Sequence, residues 1–187
     1  SNILMCHLAK CLISAGPTRE WIDAVRYISN PSTGKMGYAL AKCAKSKEFD
    51  VTLVSGPVGI EPPEGVKFFI VENAIQMRTV LLREMIEADL IIMCAAVSDH
   101  RPEYLGQKKV KKNDFPSQLK LIKNPDILAE IGEKKRSDQT LVGFAAETAD
   151  FLENARKKII SKNLDWVVIN DVSKKDRGFG SETNEVT

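Results

Sequence analysis

Several familiar signatures are missing from this 187-residue sequence. There is no G-x-G-x-x-G at the first strand–helix turn, because Gly16 is followed by Pro17 and Thr18. That removes the standard dinucleotide fingerprint. Gly34-Lys35 invites a P-loop reading, but Ser29 stands where that motif needs its first glycine. Met36 also replaces the Ser/Thr after the lysine, so the reading fails. The four cysteines (Cys6, Cys11, Cys43, Cys94) form no C-x-x-C pair, and only His7 and His100 could join them as ligands. A metal or disulfide role is therefore disfavoured. Free thiols buried in apolar strands are the plain reading for Cys11 and Cys94, which points to a reducing, cytoplasmic setting. No apolar run approaches the roughly 20 residues that span a bilayer, and no signal peptide is visible, so no membrane role is expected. A formal charge of +2 gives no general polyanion or nucleic-acid signature, so any anion site must be local. The chain lacks an initiator Met and stops at Asn184-Glu185-Val186-Thr187 in what reads as a starting strand. The expectation is a single domain over 1–187, cut from a longer protein and truncated at its C-terminus.

What is present is ordinary globular material, 43% hydrophobic and 28% charged, arranged as apolar runs alternating with helical periods. Strands are predicted at Cys11–Ala15, Val51–Ser55, Val66–Val71, Leu90–Cys94, Leu119–Ile122, Leu141–Ala145 and Trp166–Asn170. Helices are predicted from Thr33 to Lys47, Ala74 to Glu87, Asp126 to Lys135 and Phe151 to Lys162. Gly56–Gly65, Arg101–Pro116 and Gly178–Ser181 read as loops. Strands apolar on both faces and alternating with helices indicate α/β architecture, a Rossmann-like doubly wound, mostly parallel sheet flanked by helices. Strand ends should then line one edge, collecting Gly16, Ser55-Gly56, Ala95–Asp99, Phe144–Glu147 and Asn170-Asp171.

Ser14–Gly37 carries the first strand into the first helix through a loop crowded with Thr18, Arg19, Glu20, Asp23 and Arg26. Its end, Ser32-Thr33-Gly34, reads either as a phosphate-holding helix start or as ordinary Ser/Thr capping. Lys108, Lys109, Lys111 and Lys112 read either as a solvated face or as a flap bringing cations onto a polyphosphate. Asn124-Pro125-Asp126 alone would be a helix start, Lys158 and Lys162 would face solvent, and Asp99 would be a turn residue.

Their joint order is more specific. TREWIDAVRYISNPSTGKMG, CAAVSDHRP, KKVKK, IKNPDILAEIG, VGFAAET and NDVS…GFGSETNEVT resemble phosphopantothenoylcysteine synthetase from Leu12 to Thr187. This ligase of coenzyme A biosynthesis is often the C-terminal half of a bifunctional flavoprotein whose other half is a flavin-dependent decarboxylase. The resemblance implies that the carboxylate of 4′-phosphopantothenate attacks the α-phosphate of CTP with Mg²⁺ present, giving an acyl-cytidylate and pyrophosphate. The L-cysteine amine then displaces CMP. It implies no flavin in this domain, metal ligands supplied mainly by the CTP phosphates, and a homodimer with shared sites.

By the same resemblance, Asn30 and Lys109 are the catalytic pair. Asn30 supports the cysteine step, and Lys109 the formation of the acyl-cytidylate. Gly16, Ser32, Thr33, Gly34, Ala95, Asp99, Lys109, Asn124, Pro125, Asp126, Ile127, Phe144, Lys158 and Lys162 are implied nucleotide contacts. Arg26, Asn30, Ala95 and Ala96 are implied substrate contacts, Arg26 reaching the phosphopantothenate of a neighbouring subunit. The flap and NPD blocks fit the bacterial, CTP-using branch. Departures at Pro17, Trp21, Ala24, Pro31 and His100 remove none of these groups, although Pro31 deletes a backbone N–H near the phosphate site. Competing readings are a Rossmann-type oxidoreductase, for which no acid stands after the second strand, and a non-catalytic nucleotide-binding module.

Overall fold

The structure, a computed structural model, describes residues 8–147 and 151–171. Cys6, His7, Gly178–Ser181 and most of the last sequence block lie outside the described residues. Lys10–Ala15 forms β1, Asp50–Ser55 β4, Lys67–Ile70 β5, Leu90–Met93 β6, Thr140–Glu147 β9 and Trp166–Asp171 β10. These six strands make one sheet in the order β10-β9-β6-β1-β4-β5, and every neighbouring pair is parallel. Counted along the chain this is 3-2-1-4-5-6, the doubly wound order in which the chain reverses direction between β1 and β6.

The apolar runs have no polar face because both faces of the sheet are covered. Cys11, Ile13 and Ala15 of β1 share a core cluster with Val51, Leu53, and Tyr38 and Ala41 of α1 (Lys35–Ser46). Leu12, one residue out of phase, packs in the opposite cluster with Val54, Ile91 and Leu141. That cluster also takes Met77 and Leu81 from α2 (Ala74–Glu84), and Ile127 and Ile131 from α3 (Ile127–Lys134). Ile159 of α4 (Phe151–Lys162) packs against it. No helix joins β4 to β5. The Pro/Gly loop after Ser55 does so instead, laying Val58 and Ile60 on the α1 side.

Three features differ from the sequence reading. The crossover after β1 contains a small antiparallel pair, β2 (Glu20–Trp21) and β3 (Tyr27–Ile28), too short to leave a periodic signal. Arg101, read as the start of a loop, lies in β7 (His100–Pro102), which pairs antiparallel with β8 (Leu121–Lys123). Finally, α1 begins at Lys35, not Thr33. Its N-cap is Gly34 at φ 78° with no side-chain cap, so neither Ser32 nor Thr33 caps it. Among the described residues no helix is long and apolar enough to cross a membrane.

Candidate active site

The missing glycine fingerprint is present in space. Gly16 turns the chain out of β1 at φ 75°, and Gly34 admits it to α1 at φ 78°, both in the left-handed region glycine tolerates. A methyl on Gly34 would lie 3.5 Å from the Gly16 Cα, so the two backbones pass close together. One turn on, Gly37 lets α1 approach β1: a Cβ there would meet the Ala15 Cβ at 2.5 Å. Turn, close approach and helix–strand contact are the three jobs of G-x-G-x-x-G. Here residues 17–33 are inserted between the first glycine and the second.

That insertion folds back over the strand-order reversal. Pro17 bridges Ala96 in parallel beyond the end of the sheet. The Ala96 N–H donates to the Gly16 carbonyl at 2.9 Å, and the Thr18 N–H to the Ala96 carbonyl at 3.3 Å. Ser14, fully buried, accepts the Ala95 N–H through Oγ at 3.1 Å. Thr18, also fully buried, accepts the Ser98 N–H through Oγ1 at 3.1 Å. Asn30 donates from Nδ2 to the Ala96 carbonyl at 2.7 Å and accepts the Ser32 N–H at 3.1 Å. Gly16, Asn30, Ser32, Gly34, Ala95 and Ala96 thus converge at one place. Thr33 is half-buried between Ser32 and Gly34.

A second group assembles beside the far half of the sheet. Asp126 caps α3 by accepting the Ala129 N–H at 3.0 Å, and Lys162 pairs with it at 3.0 Å. Burial pushes the Asp126 carboxyl up. The Ala129 N–H and the charges of Lys162 and Lys158 outweigh that and hold it below the ordinary range. Lys158 donates to the Phe144 carbonyl at 2.6 Å. Asp126, Phe144, Lys158 and Lys162, scattered in sequence, therefore form one cationic corner.

Other predicted residues have structural work. Asn124 is almost fully buried and acts as a clamp. Its Nδ2 donates to the Ser98 carbonyl at 2.8 Å, its Oδ1 accepts Arg101 at 2.9 Å, and its N–H meets the Asp99 carbonyl at 2.8 Å. The Ile127 side chain belongs to the core, leaving its backbone as the part able to meet a ligand. Pro125 is half-buried and the Asp99 side chain exposed. Cys94, where β6 ends, has its thiol pushed by burial up to about 12, so it is no nucleophile at neutral pH.

Lys108, Lys109, Lys111 and Lys112 are all exposed, while Val110 between them is held by Arg26 and Asp23. Arg26 bonds the Val110 carbonyl and the Asp23 carboxylate within its own chain; the resemblance implies that it reaches a neighbouring subunit's substrate. Sequence reasoning marked the loop from Ser14 as crowded with Thr18, Glu20 and Asp23 but gave these four residues no role. Glu20 is buried and accepts the Ala74 N–H at 2.9 Å, at the start of α2. Their density in the crossover was the visible signal; their partners, remote in sequence, were not. Among the described residues no group of three or more His, Cys, Asp or Glu could hold a metal ion.

Against known proteins, residues 7–187 match the family of the DNA/pantothenate metabolism flavoprotein C-terminal domain. The chain is 50% identical over 177 residues to the coenzyme A biosynthesis bifunctional protein CoaBC of Bacillus subtilis, covering 94% of this chain and 43% of that one. It is 44% identical over 176 residues to CoaBC of Escherichia coli K12, with 92% and 43% covered. The chain therefore spans less than half the length of these curated relatives. A crystal structure of the C-terminal domain of CoaBC superimposes with a TM-score of 0.79 at 38% identity, covering 96% of this chain and 85% of that one. A Cab2 variant in complex with phosphopantothenate-cysteine shares the fold, with a TM-score of 0.72 at 18% identity over 90% of this chain and 74% of that one. The chain belongs to the DNA/pantothenate metabolism flavoprotein C-terminal domain family.

Proposed function

We propose that this domain joins 4′-phosphopantothenate to L-cysteine through an acyl-cytidylate, consuming CTP and releasing pyrophosphate and then CMP. The observation that carries the reading is the Asn30–Ala96 hydrogen bond at the strand-order reversal, where open α/β sheets bind their ligands. The curated relatives are coenzyme A biosynthesis proteins, and the Cab2 structure holds phosphopantothenate-cysteine; both support it.

In this reading the triphosphate lies over the Gly16–Gly34 contact and the start of α1, whose N–H groups face outward from the first turn. The cytidine occupies the corner of Asp126, Phe144, Lys158 and Lys162. Lys109 meets the charge that grows as pyrophosphate leaves, after a carboxylate oxygen of phosphopantothenate bonds to the α-phosphorus. Asn30, with Ala95 and Ala96 beside it, orients the acyl phosphate for the cysteine amine. The amine forms the amide as the acyl–phosphate bond breaks, CMP departs, and the amine's proton goes to solvent. Mg²⁺ would be carried on the nucleotide, since the corner holds one carboxylate, Asp126, already paired with Lys162. When bound it would neutralise triphosphate oxygens. The homodimer, fusion to or association with a flavin-dependent decarboxylase, a cytoplasmic location and the preference for CTP over ATP belong to the same proposal.

The oxidoreductase alternative is disfavoured because β4 ends at buried Ser55, bonded to Tyr38 and to the Gly56 carbonyl, with no acid for a ribose. A panel of CTP and ATP with phosphopantothenate and cysteine, read by pyrophosphate release, tests the proposal. Release that requires both CTP and phosphopantothenate supports it. Nucleotide binding without release would leave a binding module instead.

A further inference from the structure

The residues 22–26 turn and the lysine-bearing segment meet at three points. The Leu105 N–H donates to the Ile22 carbonyl at 2.7 Å. Arg26 stacks over Phe115, its Cζ 4.3 Å from the ring centroid. Between these, at Val110, stands Asp23, whose side chain is fully buried. One carboxylate oxygen accepts the N–H groups of Val25 (2.9 Å) and Arg26 (3.0 Å). The other accepts the Arg26 guanidinium (2.7 Å) and the Val110 N–H (3.1 Å). Both terminal nitrogens of the Arg26 guanidinium, Nη1 and Nη2, then reach the Val110 carbonyl at 3.4 and 3.3 Å. Asp23, Arg26 and Val110 therefore close a ring that uses both backbone groups of Val110.

Nothing in the local structure of residues 22–26 requires a fourth donor from a segment more than eighty residues away. Val110 has a lysine on each side, so fixing its backbone fixes where Lys109 and Lys111 leave the chain. We infer that Asp23 is a positioning residue for Lys109, holding the lysine segment at its midpoint through Val110 and Arg26. This rests on the proposed role of Lys109. It also gives Arg26 a task within its own chain, bridging the carboxylate to the segment.

The carboxylate is suited to this because it can take four donors and offers none. An amide would present an N–H₂ group toward at least one existing donor. Asp23→Asn keeps the volume and removes that capacity. The amides of residues 105–115 should then exchange hydrogen at least about tenfold faster, as local opening becomes easier. The kcat for pyrophosphate release should fall roughly a hundredfold, the scale of a small misplacement of a reacting group, with a much smaller change in the KM for CTP. Val110→Pro removes the same N–H from the segment's side while leaving residues 22–26 unsubstituted, and it should reproduce both effects. If Asp23→Asn does not fold, Val110→Pro decides alone. Unchanged exchange over 105–115, or faster exchange with unchanged kcat, overturns the inference. Should the wild-type domain release no pyrophosphate, the ligase reading fails, and with it the catalytic half of this inference. The exchange measurement would still decide whether Asp23 holds the segment.

Discussion

Asn30 and Ala96 meet across the point where the strand order reverses, the Asn30 amide donating to the Ala96 carbonyl at 2.7 Å. The same side chain accepts the Ser32 N–H, so one residue sets both the end of the crossover and the extension of β6.

Asn30→Asp replaces that donor with an acceptor facing a carbonyl oxygen, and the group reoriented is the one proposed to serve the second half-reaction. Pyrophosphate release should stay within a fewfold of wild type, while phosphopantothenoylcysteine formation falls by about tenfold or more. Chromatographic product yield beside pyrophosphate release checks it. Equal yields in the two proteins would remove Asn30 from the cysteine step.

Lys109→Ala removes an exposed cation with no packing role, so thermal stability should move by no more than about 0.5 kcal/mol. Pyrophosphate release should drop by at least about a hundredfold, as when an electrostatic contact to a transition state is deleted. Near-normal release would show that the lysine run is a solvated face.

Arg78 makes a two-point ion pair with Glu130, at 2.6 Å through both Nε and Nη2, tying α2 to α3. Hydrogen bonding from Arg78, assisted by Lys134 and opposed by burial, pulls the Glu130 carboxyl from 4.5 to about 2. A carboxyl depressed in the folded state stabilises the fold above its unfolded pKa, and that stability is lost as pH falls from about 4.5 toward 2. Arg78→Gln should lower the melting temperature near neutrality and flatten its decline across that window. Parallel melting curves for the two proteins would contradict the assignment.

Gly37→Ala would place a Cβ 2.5 Å from that of Ala15, where α1 rests on the central strand. Overpacking of this kind costs about 1–3 kcal/mol. At this chain length the melting temperature should fall by several degrees. Gly59→Ala, whose added Cβ meets nothing within 4 Å, is the control and should melt with wild type.

The main sheet was legible because its strands are apolar on both faces and its helices have clean 3–4 spacing, as with Met77 and Leu81 in α2. The site was half legible. Ala95 and Ala96 lie in a sequence block at the end of β6, and Lys158 and Lys162 on the helix after β9, so the alternation of strands and helices already placed all four beside the same sheet edge. The parts not foreseen share a physical cause: their partners are remote. Ser14 serves Ala95, Thr18 serves Ser98, Glu20 serves Ala74 and Asp23 serves Val110. No local propensity records a hydrogen bond that closes across the fold. The glycine fingerprint escaped for a related reason, since a motif defined by consecutive spacing becomes invisible once a hairpin is inserted into it. Asn124 shows the reverse case, a residue implied to touch nucleotide whose side chain is occupied by Ser98 and Arg101.

Because Gly16 and Gly34 lie side by side, residues 17–33 behave as a cassette plugged into a socket formed by the sheet and α1. Closing a loop costs entropy that rises only slowly with its length. The cassette's middle, residues 19–29, could therefore lengthen or shorten while the ends bonded to Ala96 keep the turn beneath in place. Under the proposed function, phosphate affinity would rest with the three glycines and the choice of acyl substrate with the segment strung between the first two.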